Sequence, residues 1–143
     1  MDSELEEVIP EEPAEQEISL EESILSSTKK SLGLEPEITQ FDPDIIMCIN
    51  SVLNILTQLG VGPPQGFTIL SKDATWKEFL GEDQRLNMTK SYIFMKVKLM
   101  FDPPSIAAVL ASYQDLIKEY EWRLNCQVDP IDTFDDEGGD EDV

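Results

Sequence analysis

Histidine is absent from all 143 residues. Its absence removes Ser–His and Cys–His nucleophilic pairs and the commonest transition-metal ligand. Cysteine is scarce: only Cys48 and Cys126 occur. Far apart and without CxxC spacing, they give neither a zinc site nor a disulfide framework. Cys48 reads as a small buried apolar residue on a helix and Cys126 as a free thiol at a helix end, which suits a reducing compartment. No apolar run approaches the ~18 residues of a membrane span. The stretch Met1 to Glu7 is acidic and has no apolar core, so it is not expected to act as a secretory signal. No P-loop, GxGxxG or GxSxG motif is present. Gly60-Val61-Gly62 lacks the further glycines and the helix start that a phosphate cradle needs.

Lysine and arginine are missing from both ends. Residues 1–23 carry ten acids and no base, and residues 126–143 carry eight acids and no base. All ten bases lie in residues 24–125, so of the formal charge of −20 only about −2 belongs to the middle of the chain. Runs of like charge with few aromatics bury too little apolar surface to offset ordering entropy. An acidic disordered lead (1–17) and an acidic tail (127–143) are therefore expected around one domain (18–126), a length that fits a single core. Direct binding to nucleic acid or to an anionic membrane would need clustered Lys and Arg, which the chain does not offer.

Carboxylates are abundant, but most lie in the ends, where nothing would hold their geometry. Glu119 and Glu121 flank a helix without converging on a partner. Asp135-Asp136-Glu137 and Asp140-Glu141-Asp142 are calcium-ligand types at the wrong spacing for an EF-hand loop. No catalytic residue, metal site or cofactor is expected, and the chain is not read as an enzyme.

What is present is helix punctuation. Ser19 and Glu22 form a capping box, followed by Leu20, Ile24 and Leu25, with Lys29 and Lys30 in the last turn and Gly33 as the stop. A second helix starts with Asp42 as N-cap and Pro43 at N1, and Phe41 can staple onto Ile46. Its stripe of Ile45, Ile49, Val52, Leu56 and Leu59 ends at Gly60. Phe67-Thr68-Ile69-Leu70 is strand-like but single, so it lies on the helices or pairs with another subunit. Thr75 and Glu78 make a second capping box, over one or two helical turns that would plug Trp76, Phe79 and Leu80 into the core.

A third helix, from Asp83 or Gln84 to Met100, carries two apolar stripes. One is Leu86, Ile93, Val97 and Met100; the other is Met88, Tyr92, Met95 and Leu99. An element apolar on two sides is covered on two sides, by the domain core or by the core plus a neighbouring subunit. A fourth helix, from Pro104 to Cys126, has one seam of Ile106, Leu110, Tyr113, Ile117, Tyr120 and Leu124. Trp122 falls opposite that seam, where either a folded-over segment or a partner would cover it. Aromatics at such positions are common interface anchors. The expected fold is mainly α: a small four-helix, bundle-like domain with one short strand-like insert.

The runs Phe41-Asp42-Pro43-Asp44-Ile45-Ile46-Met47, Leu59-Gly60-Val61-Gly62-Pro63, Thr75-Trp76-Lys77-Glu78-Phe79-Leu80-Gly81 and Lys90-Ser91-Tyr92-Ile93 stand in a telling order. With Leu99-Met100-Phe101-Asp102-Pro103-Pro104 and Glu119-Tyr120-Glu121-Trp122-Arg123-Leu124-Asn125, they resemble the head–tail connector proteins of tailed phages, also called adaptor or head-completion proteins. The resemblance covers about residues 20–126 and rests on no catalytic motif. It implies a homo-oligomeric ring, usually dodecameric, below the portal protein in the neck of the virion, assembled in the host cytoplasm. Such a ring lets DNA pass through its channel without specific binding and offers a platform to a stopper or tail-completion protein. Met88, Tyr92, Met95, Leu99, Trp122 and Arg123 are then candidates for the oligomer or portal interface. Asp135, Asp136, Glu137, Asp140, Glu141 and Asp142 would face the portal or the channel. A rival reading is an acidic regulatory module, or DNA mimic, that occupies a nucleic-acid-binding partner.

Overall fold

The computed structural model describes residues 18–126. They form five helices: α1 (Ile24–Ser31), α2 (Asp42–Gln58), α3 (Trp76–Leu80), α4 (Leu86–Phe101) and α5 (Ala107–Cys126). The mainly helical expectation holds, with the turn after Thr75 closing as the five-residue α3. No strand occurs among the described residues; one isolated antiparallel bridge joins Ser23 to Thr75.

That bridge corrects the expected start of α1. Ser19 and Glu22 do bond reciprocally, at 3.3 and 3.2 Å, but they close only a turn. Glu22 C=O accepts from Trp76 N–H at 3.1 Å, and Ile24 N–H donates to Ala74 C=O at 3.0 Å. This pairing holds Ser23 extended (φ −82°, ψ 131°), so the helix begins after it, with Ser23 Oγ accepting from Ser26 N–H.

Asp42 is a second correction. It is the first residue of α2, and the cap position falls to Phe41, which has no side-chain bond. The Asp42 carboxylate is taken by Lys29 of α1, with Nζ 2.9 Å from Oδ1. The Lys29 ammonium is buried and also donates to Pro36 C=O at 3.2 Å. An interior cation without an anion is costly, and this demand outweighs a local cap. Phe41 instead meets Phe101 edge-on, at 5.7 Å between ring centres, tying the start of α2 to the end of α4.

Helices α1 and α2 stop as their glycines require. Gly60 N–H donates to Thr57 C=O and Val61 N–H to Leu56 C=O, a Schellman closure that drives Val61 into the core. Two residues on, Gly62 has φ +89°, and a Cβ there would overlap the buried Phe79 ring. Gly62→Ala is expected to destabilise the domain by about 2–5 kcal/mol, combining positive-φ strain with overpacking. Urea unfolding would show this as a lower midpoint at unchanged slope.

The core lies where α2 meets α4. Ile45, Ile49, Val52, Leu53 and Leu56 pack with Tyr92, Ile93 and Val97, and Ile24, Leu25, Trp76 and Phe79 close one side. α4 starts later than expected. Asp83 Oδ1 accepts from Arg85 N–H at 2.8 Å, and the Arg85 guanidinium grips the same carboxylate at 2.6 Å. That fork fixes a turn just ahead of Leu86, and its hydrogen bonds hold the Asp83 carboxyl below its ordinary pKa.

The fourth predicted helix, α5, departs most. It starts at Ala107, and the predicted seam is not buried throughout. Ile117 and Leu124 are buried; Leu110, Tyr113 and Tyr120 are half-buried; Ile106 is 63% exposed. The Tyr92–Glu121 contact explains this. The short link from Phe101 to Ala107 turns α5 back along α4, and the contact sets Tyr92 level with Glu121, so α4 ends about nine residues from it while α5 starts beyond that level. The first turns of α5 therefore run to and past the end of the helix they would need to lie on.

Candidate assembly surface

The α4–α5 junction assembles from buried to exposed. Tyr92 is wholly buried, and its hydroxyl donates to Glu121 Oε2 at 2.7 Å. Burial first, then the Glu121 carboxylate, push the phenol well above its ordinary pKa, so it stays a proton donor. Between the same two helices lies an open groove of about 430 Å³, lined by Met88 and Ser91 of α4 and by Leu116, Glu119, Tyr120 and Arg123 of α5. Arg123 and Glu119 face each other across one helical turn, with Nη2–Oε2 at 2.8 Å. Both are about half exposed, so the pair shapes the rim and adds little stability.

Of the six interface candidates, the structure brings Met88 and Arg123 to this one groove. Tyr92 does not line it and has no exposed surface, being part of the protomer's own core. Met95 and Leu99 are half-buried and packed against that core. Trp122 is outside the groove and 66% exposed, so no described segment folds over it. Asp135, Asp136, Glu137, Asp140, Glu141 and Asp142 lie outside the described residues, as do the lead (1–17) and the tail (127–143).

Other exposed apolar residues escaped the sequence reading. Met47 on α2 is 64% exposed and Leu70 is 89% exposed, while Val109 and Leu116 of α5 are also exposed, as is Ile106 just before it. A signal existed for Met47, which sits off the α2 stripe between Asp44 and Ser51. Leu70 alternates with the buried Ile69 and so must point outward.

A second groove, of about 450 Å³, lies beside α3 and is lined by Glu22, Trp76, Lys77, Glu82, Leu86 and Lys90. The Lys90 ammonium sits 5.3 Å from the Trp76 ring centre. Its charges are of mixed sign and do not converge. Cys48 is half-buried; burial, with Asp44 beside it, raises its thiol pKa and keeps it protonated. Among the described residues no group of three or more His, Cys, Asp or Glu could hold a metal ion, and no helix is long and apolar enough to cross a membrane.

The described residues thus define a small all-helical domain that keeps large apolar side chains on its surface and a polar-rimmed groove between its last two helices. A family model described as phage connector protein matches residues 24–130, which takes in all five helices. The chain belongs to that phage connector family, and its role is that of a structural connector of the virion. No curated protein and no solved structure matches it at a significant level.

Proposed function

We propose that copies of this chain form a ring, a dodecamer by family resemblance, that docks below the portal and continues the DNA channel toward a stopper or tail-completion protein. Assembly takes place in the host cytoplasm. Neighbouring copies and the portal cover the α4–α5 groove, the uncovered turns of α5 and Trp122. The acidic ends face the portal or the channel, where negative charge keeps DNA from being held. The single observation behind this reading is the surplus apolar surface of α5, in a chain whose whole helical domain matches the connector family. Large exposed side chains such as Trp122 and Ile106 are frequent contact residues at protein interfaces.

The test is reconstitution. Purified portal rings mixed with this chain should gain mass equal to one full ring of copies. Portal that stays at its own mass at saturating concentrations would refute docking below the portal.

A further inference from the structure

Helix α5 is tied to the rest of the domain more thinly than α2 or α4. Among its described residues only Ile117 and Leu124 are buried, whereas α2 buries Ile45, Ile49, Val52, Leu53 and Leu56. The ties that knit the remaining elements together pass α5 by. Phe41 meets Phe101, Phe67 meets Phe79, Trp76 meets Phe94, and Lys29 pairs with Asp42. α5 rests chiefly on α4. Among the described residues one side-chain hydrogen bond reaches it from another element: the Tyr92 hydroxyl donates to Glu121 Oε2 at 2.7 Å. The Arg123–Glu119 pair lies within the helix and anchors it to nothing else.

The link makes α5 separable. Pro103 and Pro104 have no N–H, so the hydrogen-bond ladder of α4 cannot run on into α5. The closing bond of α4 goes from Asp102 N–H to Lys98 C=O at 2.9 Å, and the opening bond of α5 from Val109 N–H to Ile106 C=O at 3.0 Å. Among the described residues no backbone bond spans the interval between them. Lifting α5 from α4 therefore breaks one inter-element hydrogen bond and uncovers Ile117, Leu124 and the Tyr92 hydroxyl. The aromatic pairs and the Lys29–Asp42 tie stay in place, because none of them involves α5.

We infer that α5 is an arm hinged at residues 102–106, which opens from α4 as one unit in the free chain while α1 to α4 stay folded. Elements with few buried apolar contacts open at lower free energy than the core, and they do so cooperatively. The closed position matters because it creates the α4–α5 groove. Met88 and Ser91 supply one wall, and Leu116, Glu119, Tyr120 and Arg123 supply the other, so an open arm has no groove. On the assembly reading above, on which this consequence rests, a neighbour seated in the groove binds the closed arm alone. Occupancy of the groove and closure of the arm then favour each other.

Hydrogen exchange, read residue by residue on the dilute full chain, tests the arm. Amides of residues 117–121 lie in the docked half of α5, away from both ends. They should exchange at least about tenfold faster than those of residues 49–53 on α2. Their exchange should also depend less steeply on added urea, because opening the arm exposes less surface than unfolding the domain. Equal rates with equal urea dependence would mean that α5 leaves only when the whole domain unfolds, and would overturn the proposal. Tyr92→Phe removes the polar tie and should speed the α5 amides about fivefold, the factor that one net hydrogen bond is worth. Unchanged α5 exchange in that variant would show that the bond does not hold the arm. In the assembled particle the α5 amides should slow to the rate of the α2 amides. Fast α5 exchange that persists there would overturn the link to assembly, even with a ring in place. A chain that forms no ring would instead defeat the ring reading, and the free-chain rates would still decide whether the arm exists.

Discussion

Replacing Tyr92 with alanine is expected to cost about 3–5 kcal/mol of domain stability, the usual range for removing a buried aromatic. Its ring is wholly buried in the core, and its hydroxyl gives Glu121 the one hydrogen bond it receives among the described residues. Tyr92→Phe separates the two contributions. It keeps the ring and loses only the bond, and the half-buried Glu121 carboxylate can regain water, so about 1 kcal/mol is expected. Guanidinium unfolding of both variants reads this out. A typical domain holds only about 5–15 kcal/mol in total, so the alanine variant should be largely unfolded or close to it. Loss of less than about 1 kcal/mol in Tyr92→Ala would show that α5 does not dock as described.

Trp122→Ala should behave in the opposite way. The indole is 66% exposed and has no aromatic partner among the described residues, so the isolated domain should keep its stability within about 0.5 kcal/mol. Assembly should weaken by about 2 kcal/mol or more per contact, roughly 30-fold, because exposed tryptophans at interfaces are frequent hot spots. The pair of measurements is a melt of the free chain and the fraction of chain incorporated into rings or particles. Normal incorporation would remove Trp122 from the interface. Arg123→Ala makes a useful contrast: its ion pair with Glu119 is exposed, and its loss should change the melt little.

What the sequence made legible was local or periodic. The α2 stripe, the glycine closure after Leu59 and the Thr75–Glu78 capping box depend on residues a few positions apart, and they stand as expected. What it hid depended on distant partners. The Ser19–Glu22 box forms, yet the pairing of Ser23 with Thr75 delays the helix. Asp42 has a cap sequence, yet Lys29 claims its carboxylate. On α5 the periodicity chose the right face, but periodicity says nothing about whether a helix lies beneath it. The length of α4 decides that, and the early seam residues are left uncovered.

The site followed the same division. Trp122 was legible because it falls off the seam. Tyr92 was grouped with a stripe that either the core or a neighbouring subunit could cover, and the structure places it in the core. Met47 and Leu70 were missed because each stands within an apolar run, where only its position off the buried set marks it as exposed. Asn50 gave no signal either, because its side-chain amide bonds the main chain of Ile69, far away in sequence.

One measurement bears most directly on the whole account: a density map of the phage neck that resolves side chains of this chain in place. It should show Ile106, Leu116 and Trp122 covered by neighbouring copies or by the portal, in a closed ring around the DNA path. A protomer seated in the neck with these three side chains open to solvent would contradict the claim that α5 and the turn before it are the assembly element.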